Sequence, residues 1–195
     1  MIEVRFGIGG YVPTGADLFA IRGAAREVDR VELRKGVILA EERTITQDPA
    51  FALRAIVDIA LRALSPAVND PTTAVQALDG IDTLLMEFAG RDLERGRITG
   101  EDGALRLVYP NMVWEDLLDL SLTEIRHYGA DTPQIARRMR ALLLGLAEQA
   151  PAARRRGIDD HLARLDAAVR AAYPDAAERA YAETPDHLGI GSGDH

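Results

Sequence analysis

The segment AFALRAIVDIALRAL, residues 50–64, decides how the fold is interpreted. Every position in it is apolar except Arg54, Asp58 and Arg62. These three charged residues recur at i, i+4 and i+8, so a helix places them on one polar stripe and buries its remaining surface. We therefore expect this first helix to lie at the centre of a helical bundle.

Further helices are predicted downstream, because apolar residues recur every three or four positions. The second helix begins after Asp70, a suitable N-cap, with Pro71 at its first position. The third carries Trp114 and ends near Gly129, where we expect a left-handed residue. The others are a fourth helix from residue 132, a fifth over residues 158–172 and a short sixth over residues 175–183.

The fourth and fifth helices are amphipathic. Arg137, Arg138 and Arg140 oppose the apolar positions of the fourth helix, and we expect them on its solvated face. The spacing of apolar residues over Ile158–Ala172 requires a neighbouring helix. Together with Leu142–Leu146, this stripe predicts apolar surface for a homo-oligomer.

The first forty residues have the pattern of short strands separated by turns. The strands are expected at Ile2–Phe6, Tyr11-Val12, Asp17–Ile21 and Val31–Leu33, and a hairpin near residues 97–108. The predicted fold class is mainly α with a small β-rich N-terminal part. Residues 1–40 form the β-rich subdomain, residues 41–183 a bundle of five to six helices that includes the hairpin, and residues 184–195 a flexible tail.

Composition excludes several classes of function. The 195 residues carry a formal charge of −8, so no concentrated basic face is expected and no nucleic-acid partner is predicted. The absence of cysteine excludes thiolate catalysis and cysteine-ligated zinc, and it permits a reducing compartment. Without a run of roughly 18 to 20 apolar residues, the chain as given is expected to be soluble.

The densest polar grouping surrounds the first helix. We single out Arg43, Arg54, Asp58, Arg62, Asn69 and Asp70 as candidate ligand-binding residues. Arginine forks bind carboxylates or phosphates, so one interpretation is a pocket for a small anion. The alternative is structural: Asp58 neutralises the two arginines of its own helix as a buried hub, and Asp70 is a cap. In that case removing Asp58 destabilises the protein more than removing Asp70 does.

Other catalytic arrangements are not indicated. Glu124 and His127 stand at i, i+3, the spacing of one ligand pair in a di-iron bundle, but no second pair occurs. His161, His187 and His195 complete no three-ligand set, and the serines lack a nucleophile motif. We therefore predict no metal site and no cofactor, and we assign no catalytic residue.

Several motifs stand together around the first helix. They are ERT at 42–44, QDPAFALR at 47–54, VDIALRALSP at 57–66 and NDPTTA at 69–74. Three further motifs lie elsewhere in the chain: GYVPTG at 10–15, LD at 78–79 and IRHYG at 125–129. Over roughly residues 2–146 the chain resembles a family of bacterial predicted membrane proteins, domain-of-unknown-function class 2254. The resemblance assigns no chemistry to any residue.

What the resemblance implies is a location. Members of that family carry several transmembrane helices ahead of such a soluble C-terminal region, so this chain is expected to be the soluble part. It implies a membrane-proximal module on the cytoplasmic side, associated through segments absent from this chain with the remainder of a membrane protein or a membrane partner. Our leading hypothesis is a non-enzymatic role in sensing, gating or assembly. The alternative is an anion binder or enzyme that uses the polar grouping.

Overall fold

The computed structural model describes residues 1–23, 28–45, 48–93 and 96–191. In these ranges the chain is mainly helical with one small sheet, which confirms the predicted fold class. The chain divides into two compact units, Met1–Phe51 with Asp92–Met112 and Ala52–Arg91 with Val113–His195. The first unit therefore reaches beyond the boundary that was predicted at residue 40.

The first unit contains a four-stranded sheet in the order β2-β1-β4-β3. The strands are β1 (Ile2–Val4), β2 (Phe19–Ile21), β3 (Arg97–Thr99) and β4 (Leu105–Val108). β1 runs antiparallel to β2 and parallel to β4, while β3 and β4 form the predicted hairpin. The hairpin thus belongs to the sheet, not to the helical bundle in which the sequence placed it. Its pairing with β1 joins residues about a hundred positions apart, which no local pattern reveals.

One predicted strand of the first unit is a helix instead. Val31–Leu33 lies in α1 (Arg30–Lys35), whose N-cap Asp29 accepts hydrogen bonds from the backbone N–H groups of Val31 and Glu32. This cap satisfies two of the donors that a helix start leaves without partners, and it outweighs the β propensity of one valine. The predicted strand at Tyr11-Val12 is not formed either.

The second unit is the helical bundle. Its main helices are α2 (Pro49–Ala63, of which Ala52 onward belongs to this unit), α3 (Pro71–Ala89), α4 (Trp114–Gly129), α5 (Pro133–Gln149), α6 (Arg155–Ala172) and α7 (Ala176–Glu183). The apolar stripe of α6 faces inward, since Ile158, Leu165 and Val169 are fully buried within the chain itself. These three side chains of the stripe therefore contact neighbouring helices of the same chain, and the homo-oligomer stays a prediction.

The central helix is α5, not α2 as the sequence predicted. α5 packs against α3, α4, α6 and α7. α2 buries one face, which includes Leu53 and Val57, but Ile59 on the same helix is 47% exposed. A helix that is apolar nearly all round was expected to be surrounded by protein, yet α2 lies at the edge of its unit.

Arg137 and Arg138 of α5 are buried and the side chain of Arg140 is only 12% exposed, which corrects the prediction of a solvated face. Arg138 donates to Asp79 and Asp82 of α3, both at 2.7 Å, and its side chain is 8% exposed. Arg140 donates to Asp166 of α6 at 2.5 Å. Each guanidinium therefore ties the central helix to a neighbour through charge-assisted hydrogen bonds.

The segment that follows α7 packs against α5, in contrast to the predicted flexible tail. The fully buried Arg137 donates to the carbonyls of Thr184 and Gly191, at 3.0 and 3.1 Å. Asp186 is also fully buried and accepts hydrogen bonds from the backbone N–H groups of Leu188, Gly189 and Gly191. Residues 184–191 therefore form a closed loop around one carboxylate; the rest of the predicted tail, 192–195, lies outside the described residues.

Gly129 is the last helical residue of α4 and does not adopt a left-handed conformation. A Cβ at this position would lie 2.6 Å from Cγ2 of Ile135 and 3.1 Å from Cδ1 of Leu64. Glycine is therefore required here for the close approach of α5 and the end of α2, not for a helix cap as predicted.

Candidate functional site

Arg43 lies in the first unit and the other five predicted site residues lie in the second. The Nε atom of Arg43 donates to the carbonyl of Gly9 at 2.6 Å and is 3.9 Å from the carboxylate of Asp48. Its guanidinium also stands 5.8 Å from the ring centroid of Phe51. These contacts account for Arg43 within its own unit. Gln47, which belongs to the same predicted polar grouping, lies outside the described residues.

The predicted buried hub on α2 is not formed. Arg54 donates to Asp58 at 2.6 Å and to Glu124 of α4 at 2.7 Å, but the side chain of Asp58 is 50% exposed. Burial alone would lower the pKa of Arg54, and the hydrogen bonds to Asp58 and Glu124 outweigh it and raise the pKa. Arg62 is exposed and has no hydrogen bond or ion pair with its side chain in the described part of the chain. The stripe is thus a surface ion pair that joins α2 to α4.

The turn before α3 is structural, as one of the two interpretations predicted. Asp70 is the N-cap, accepting from the backbone N–H and the hydroxyl of Thr73 at 3.1 and 2.5 Å. These hydrogen bonds stabilise the carboxylate and lower the pKa of Asp70. Asn69 takes the left-handed conformation, with φ of 47°, and so reverses the chain into the helix.

A different group of charged residues lies where α4 packs against α6. Asp119 accepts hydrogen bonds on Oδ1 from Arg164 at 3.1 Å and Thr123 at 3.3 Å, and the same atom is 3.2 Å from Nε2 of His161. The side chains of Asp119 and Arg164 are more than half exposed, whereas that of His161 is 5% exposed. Asp119 and Arg164 therefore form a polar surface patch, and the imidazole of His161 lies buried beneath it.

Two open cavities lie along this junction. One of about 340 Å³ is lined by Arg54, Asp119, Leu120, Thr123, Glu124 and Arg164. The other, of about 460 Å³, is lined by Arg126, His127, Ala130, Asp131, Ala168, Ala171 and Ala172. Arg54 thus lines a cavity, although with neighbours that the sequence analysis did not single out.

Arg126 differs from the other arginines of this junction. It is half-buried, and among the described residues no hydrogen bond or ion pair engages its guanidinium. Burial lowers the pKa of Arg126, and the nearby charge of Arg164 lowers it further, against the attraction of Asp119. Burial likewise lowers the pKa of His161, so its neutral form is favoured in the folded protein despite Asp119.

Sequence reasoning missed this arrangement. Asp119, Thr123 and Arg126 follow one another at i, i+4 and i+7, which places them on one face of α4, and His161 and Arg164 share a face of α6 at i, i+3. That spacing was a signal in the sequence. It could not show that the two faces meet, because periodicity does not identify the neighbour of a helix.

The described residues contain no group of three histidine, aspartate or glutamate side chains arranged to hold a metal ion. Glu124, which the sequence considered as one ligand, is instead paired with Arg54. Over the ranges that the structure describes, no helix has the length and apolar character to cross a membrane.

Comparison with known proteins finds relatives without a characterised activity. Uncharacterized proteins from two strains of Mycobacterium tuberculosis and from Mycobacterium bovis are 34% identical to this chain over 140 residues, which is 71% of this chain and 27% of each relative. The chain thus spans about a quarter of the length of these relatives. No solved structure matches it. The model of the family described as "Predicted membrane protein (DUF2254)" matches residues 1–144, and the chain belongs to that family.

Proposed function

We propose that this chain is a non-enzymatic, membrane-proximal module that acts in assembly, by docking its first unit against the remainder of a membrane protein. Membership of a predicted membrane protein family supports this proposal. The match to the mycobacterial relatives, which covers only 27% of their length, supports it as well. The remaining length of those relatives is sufficient to supply the membrane-embedded part. A location on the cytoplasmic side belongs to the proposal, and a sequence without cysteine permits it.

The observation that carries the proposal is that the first unit has no apolar core of its own among its described residues. Within the described ranges, every buried apolar side chain belongs to the second unit, beginning with Leu53. The first unit instead exposes large apolar side chains: Tyr11 is 84%, Ile38 79% and Ile8 67% exposed. Strands of three or four residues cannot enclose such side chains between them.

Exposed apolar surface of this extent indicates an interface. A sensor or a gate requires an element with two arrangements, whereas assembly requires only a surface and a partner that covers it. Among the roles considered from the sequence, assembly is therefore the one that the exposed residues support. The remainder of the membrane protein is the proposed occupant, and a second copy of this chain is the competing one.

The absence of native cysteine allows a direct test, because a single cysteine can be introduced and labelled with a maleimide. Tyr11→Cys and Ile38→Cys probe the first unit, and Arg170→Cys is the matched control on an exposed position of α6. Each variant is labelled in the purified chain and in membranes of source cells that express the complete gene. We expect the two test positions to react in the purified chain and to be protected in membranes, with the control reacting equally in both.

Three results contradict the proposal. Equal labelling of Tyr11→Cys and Ile38→Cys in both preparations means that nothing covers the surface. Protection already in the purified chain, accompanied by a dimer mass in light scattering, assigns the surface to a second copy. Absence of the protein from the membrane fraction removes the membrane protein as partner.

A further inference from the structure

The larger cavity between α4 and α6 contains an arginine that has no partner among the residues described by the structure. Arg126 projects from α4 into a space of about 460 Å³ whose α6 side consists of Ala168, Ala171 and Ala172. The alanine side chains leave a shallow, uncharged wall opposite the guanidinium. Arg164, on the same face of α6 one turn before Ala168, adds a second positive charge close to Arg126.

The positive and negative groups at this junction are equal in number, but they are not all paired with one another. Arg164 and His161 both contact the carboxylate of Asp119, and both contacts are made to the same oxygen atom, Oδ1. Asp131 lines the same cavity as Arg126 but forms no ion pair with it. Two guanidinium groups therefore share the attraction of Asp119, and one of them has no acceptor for its hydrogen bonds among the described residues.

An arginine cannot discharge itself by losing a proton at neutral pH. A half-buried guanidinium that has lost part of its hydration is therefore stabilised by an external acceptor. The planar fork of donors matches the oxygen atoms of a carboxylate or a phosphate. A ligand bound in this way would also screen the repulsion between Arg126 and Arg164.

We propose that the cavity of about 460 Å³ between α4 and α6 is a binding site for a small organic oxyanion. The charged head of the oxyanion pairs with Arg126, beside Arg164, and its uncharged body lies along Ala168, Ala171 and Ala172. The site differs from the anion pocket considered from the sequence, which centred on α2 and the turn before α3. It is also independent of the assembly role proposed for the first unit.

The probes are inorganic phosphate and n-hexyl phosphate, which share a head and differ in the apolar body. Binding is measured with the full chain by isothermal titration at constant ionic strength, with chloride as the reference anion. We expect saturable binding of both probes, tighter for n-hexyl phosphate because the alanine wall receives its hydrocarbon chain. Equal affinities would show that the wall contributes nothing and would overturn that part of the proposal.

The decisive variant is Arg126→Gln, and the matched control is Arg170→Gln, at an exposed position of α6 outside both cavities. Loss of the charge-assisted hydrogen bonds from the guanidinium should weaken binding about tenfold or more. The control variant should bind with the affinity of the unmodified chain. Arg126→Lys keeps the charge but not the fork, so an intermediate affinity is expected.

A stability measurement separates binding from folding. Because Arg126 has no partner among the described residues, Arg126→Gln should unfold at the same urea concentration as the unmodified chain or at a higher one. Unchanged affinity in a folded Arg126→Gln variant would overturn the proposal. So would the absence of saturable binding by the unmodified chain, or an equal loss of affinity in Arg170→Gln.

Discussion

Replacement of Arg138 tests whether the central helix is held by its buried charge. The side chain of Arg138 is 8% exposed and donates to Asp79 and Asp82 of α3, both at 2.7 Å. Burial by itself would lower the pKa of Arg138. The hydrogen bonds to Asp82 and Asp79 outweigh burial and raise this pKa above its usual value. The matched comparison is Arg54, which also binds two carboxylates, at 2.6 and 2.7 Å, but at the surface with 32% of its side chain exposed.

The expected magnitudes follow from this difference in exposure. Removing one partner of a buried ion pair costs about 3 to 5 kcal/mol. Asp79 and Asp82 are 56% and 26% exposed and regain water when Arg138 is lost, so we expect about 3 kcal/mol for Arg138→Ala. Arg54→Ala, by contrast, should cost about 1 kcal/mol or less, as exposed pairs do. For a chain of this size 3 kcal/mol corresponds to a fall in Tm of roughly 6 to 12 °C.

The assay is urea unfolding followed by the fluorescence of Trp114, the single tryptophan, which is fully buried in the same unit as both arginines. Arg138→Met separates the ion pair from the packing of the arginine stem, since methionine retains much of the apolar volume. We expect Arg138→Met to lose less than Arg138→Ala. The reasoning is refuted if Arg138→Ala is no more destabilising than Arg54→Ala.

Three further predictions concern single positions. Burial lowers the pKa of His161 below 6.5, so the unfolded chain takes up the proton first, and the free energy of unfolding should fall as the pH is lowered from about 7 to 5; His161→Gln should flatten this dependence in urea titrations. Gly129→Ala should cost about 1 to 3 kcal/mol because the new Cβ meets Ile135, whereas Gly145→Ala, where no atom lies within 4 Å, should be neutral or stabilising; thermal unfolding compares the two. Asp70→Ala should lower the urea midpoint because α3 loses its N-cap, whereas Asp70→Asn should retain most of the capping stability. Equal midpoints for both variants would contradict the capping role.

Local signals in the sequence were sufficient for the fold class and for several boundaries. The start of α3 follows from Asp70 and Pro71, whose hydrogen bonding and fixed φ act within one turn. The hairpin was also predicted correctly, because glycine at position 103 adopts a positive φ between its two strands. In each case the interactions that decide the structure join residues a few positions apart.

The central helix could not be predicted in the same way. α2 is the more apolar segment by sequence, and α5 was assigned a solvated face because arginines interrupt it. The partners of Arg138 are 56 and 59 residues away, and the partner of Arg140 is 26 residues away. A buried arginine and an exposed one look alike until the carboxylates of other helices are placed beside them.

The candidate site shows the same limit. The sequence singled out Arg54 and its neighbours because charged residues on an apolar helix are conspicuous. Arg126 and Arg164 were passed over, since each belongs to an ordinary polar helix face. What distinguishes Arg126 is the absence of a partner among the described residues, which follows from the packing of α4 against α6.

Truncation of the chain after α7 tests how far the fold depends on the segment that the sequence assigned to a flexible tail. A chain that ends at residue 183 loses the carbonyls of Thr184 and Gly191, to which the fully buried Arg137 donates. The ring of Tyr181, 4.4 Å from the guanidinium, remains, but a ring replaces neither carbonyl as a hydrogen-bond acceptor. Loss of these partners from a buried charge should destabilise the helical unit by about 3 to 5 kcal/mol.

The contribution of Arg137 to that loss is isolated by combining the truncation with Arg137→Met. In the full chain the substitution should be destabilising, because it leaves the two carbonyls without a donor. In the truncated chain it removes a buried charge that has lost these two carbonyls, so it should cost much less or restore part of the stability. Urea unfolding of the four proteins gives the coupling between residue 137 and the segment. A truncated chain as stable as the full one would show that the segment contributes no stability, and a coupling near zero would show that it acts without Arg137.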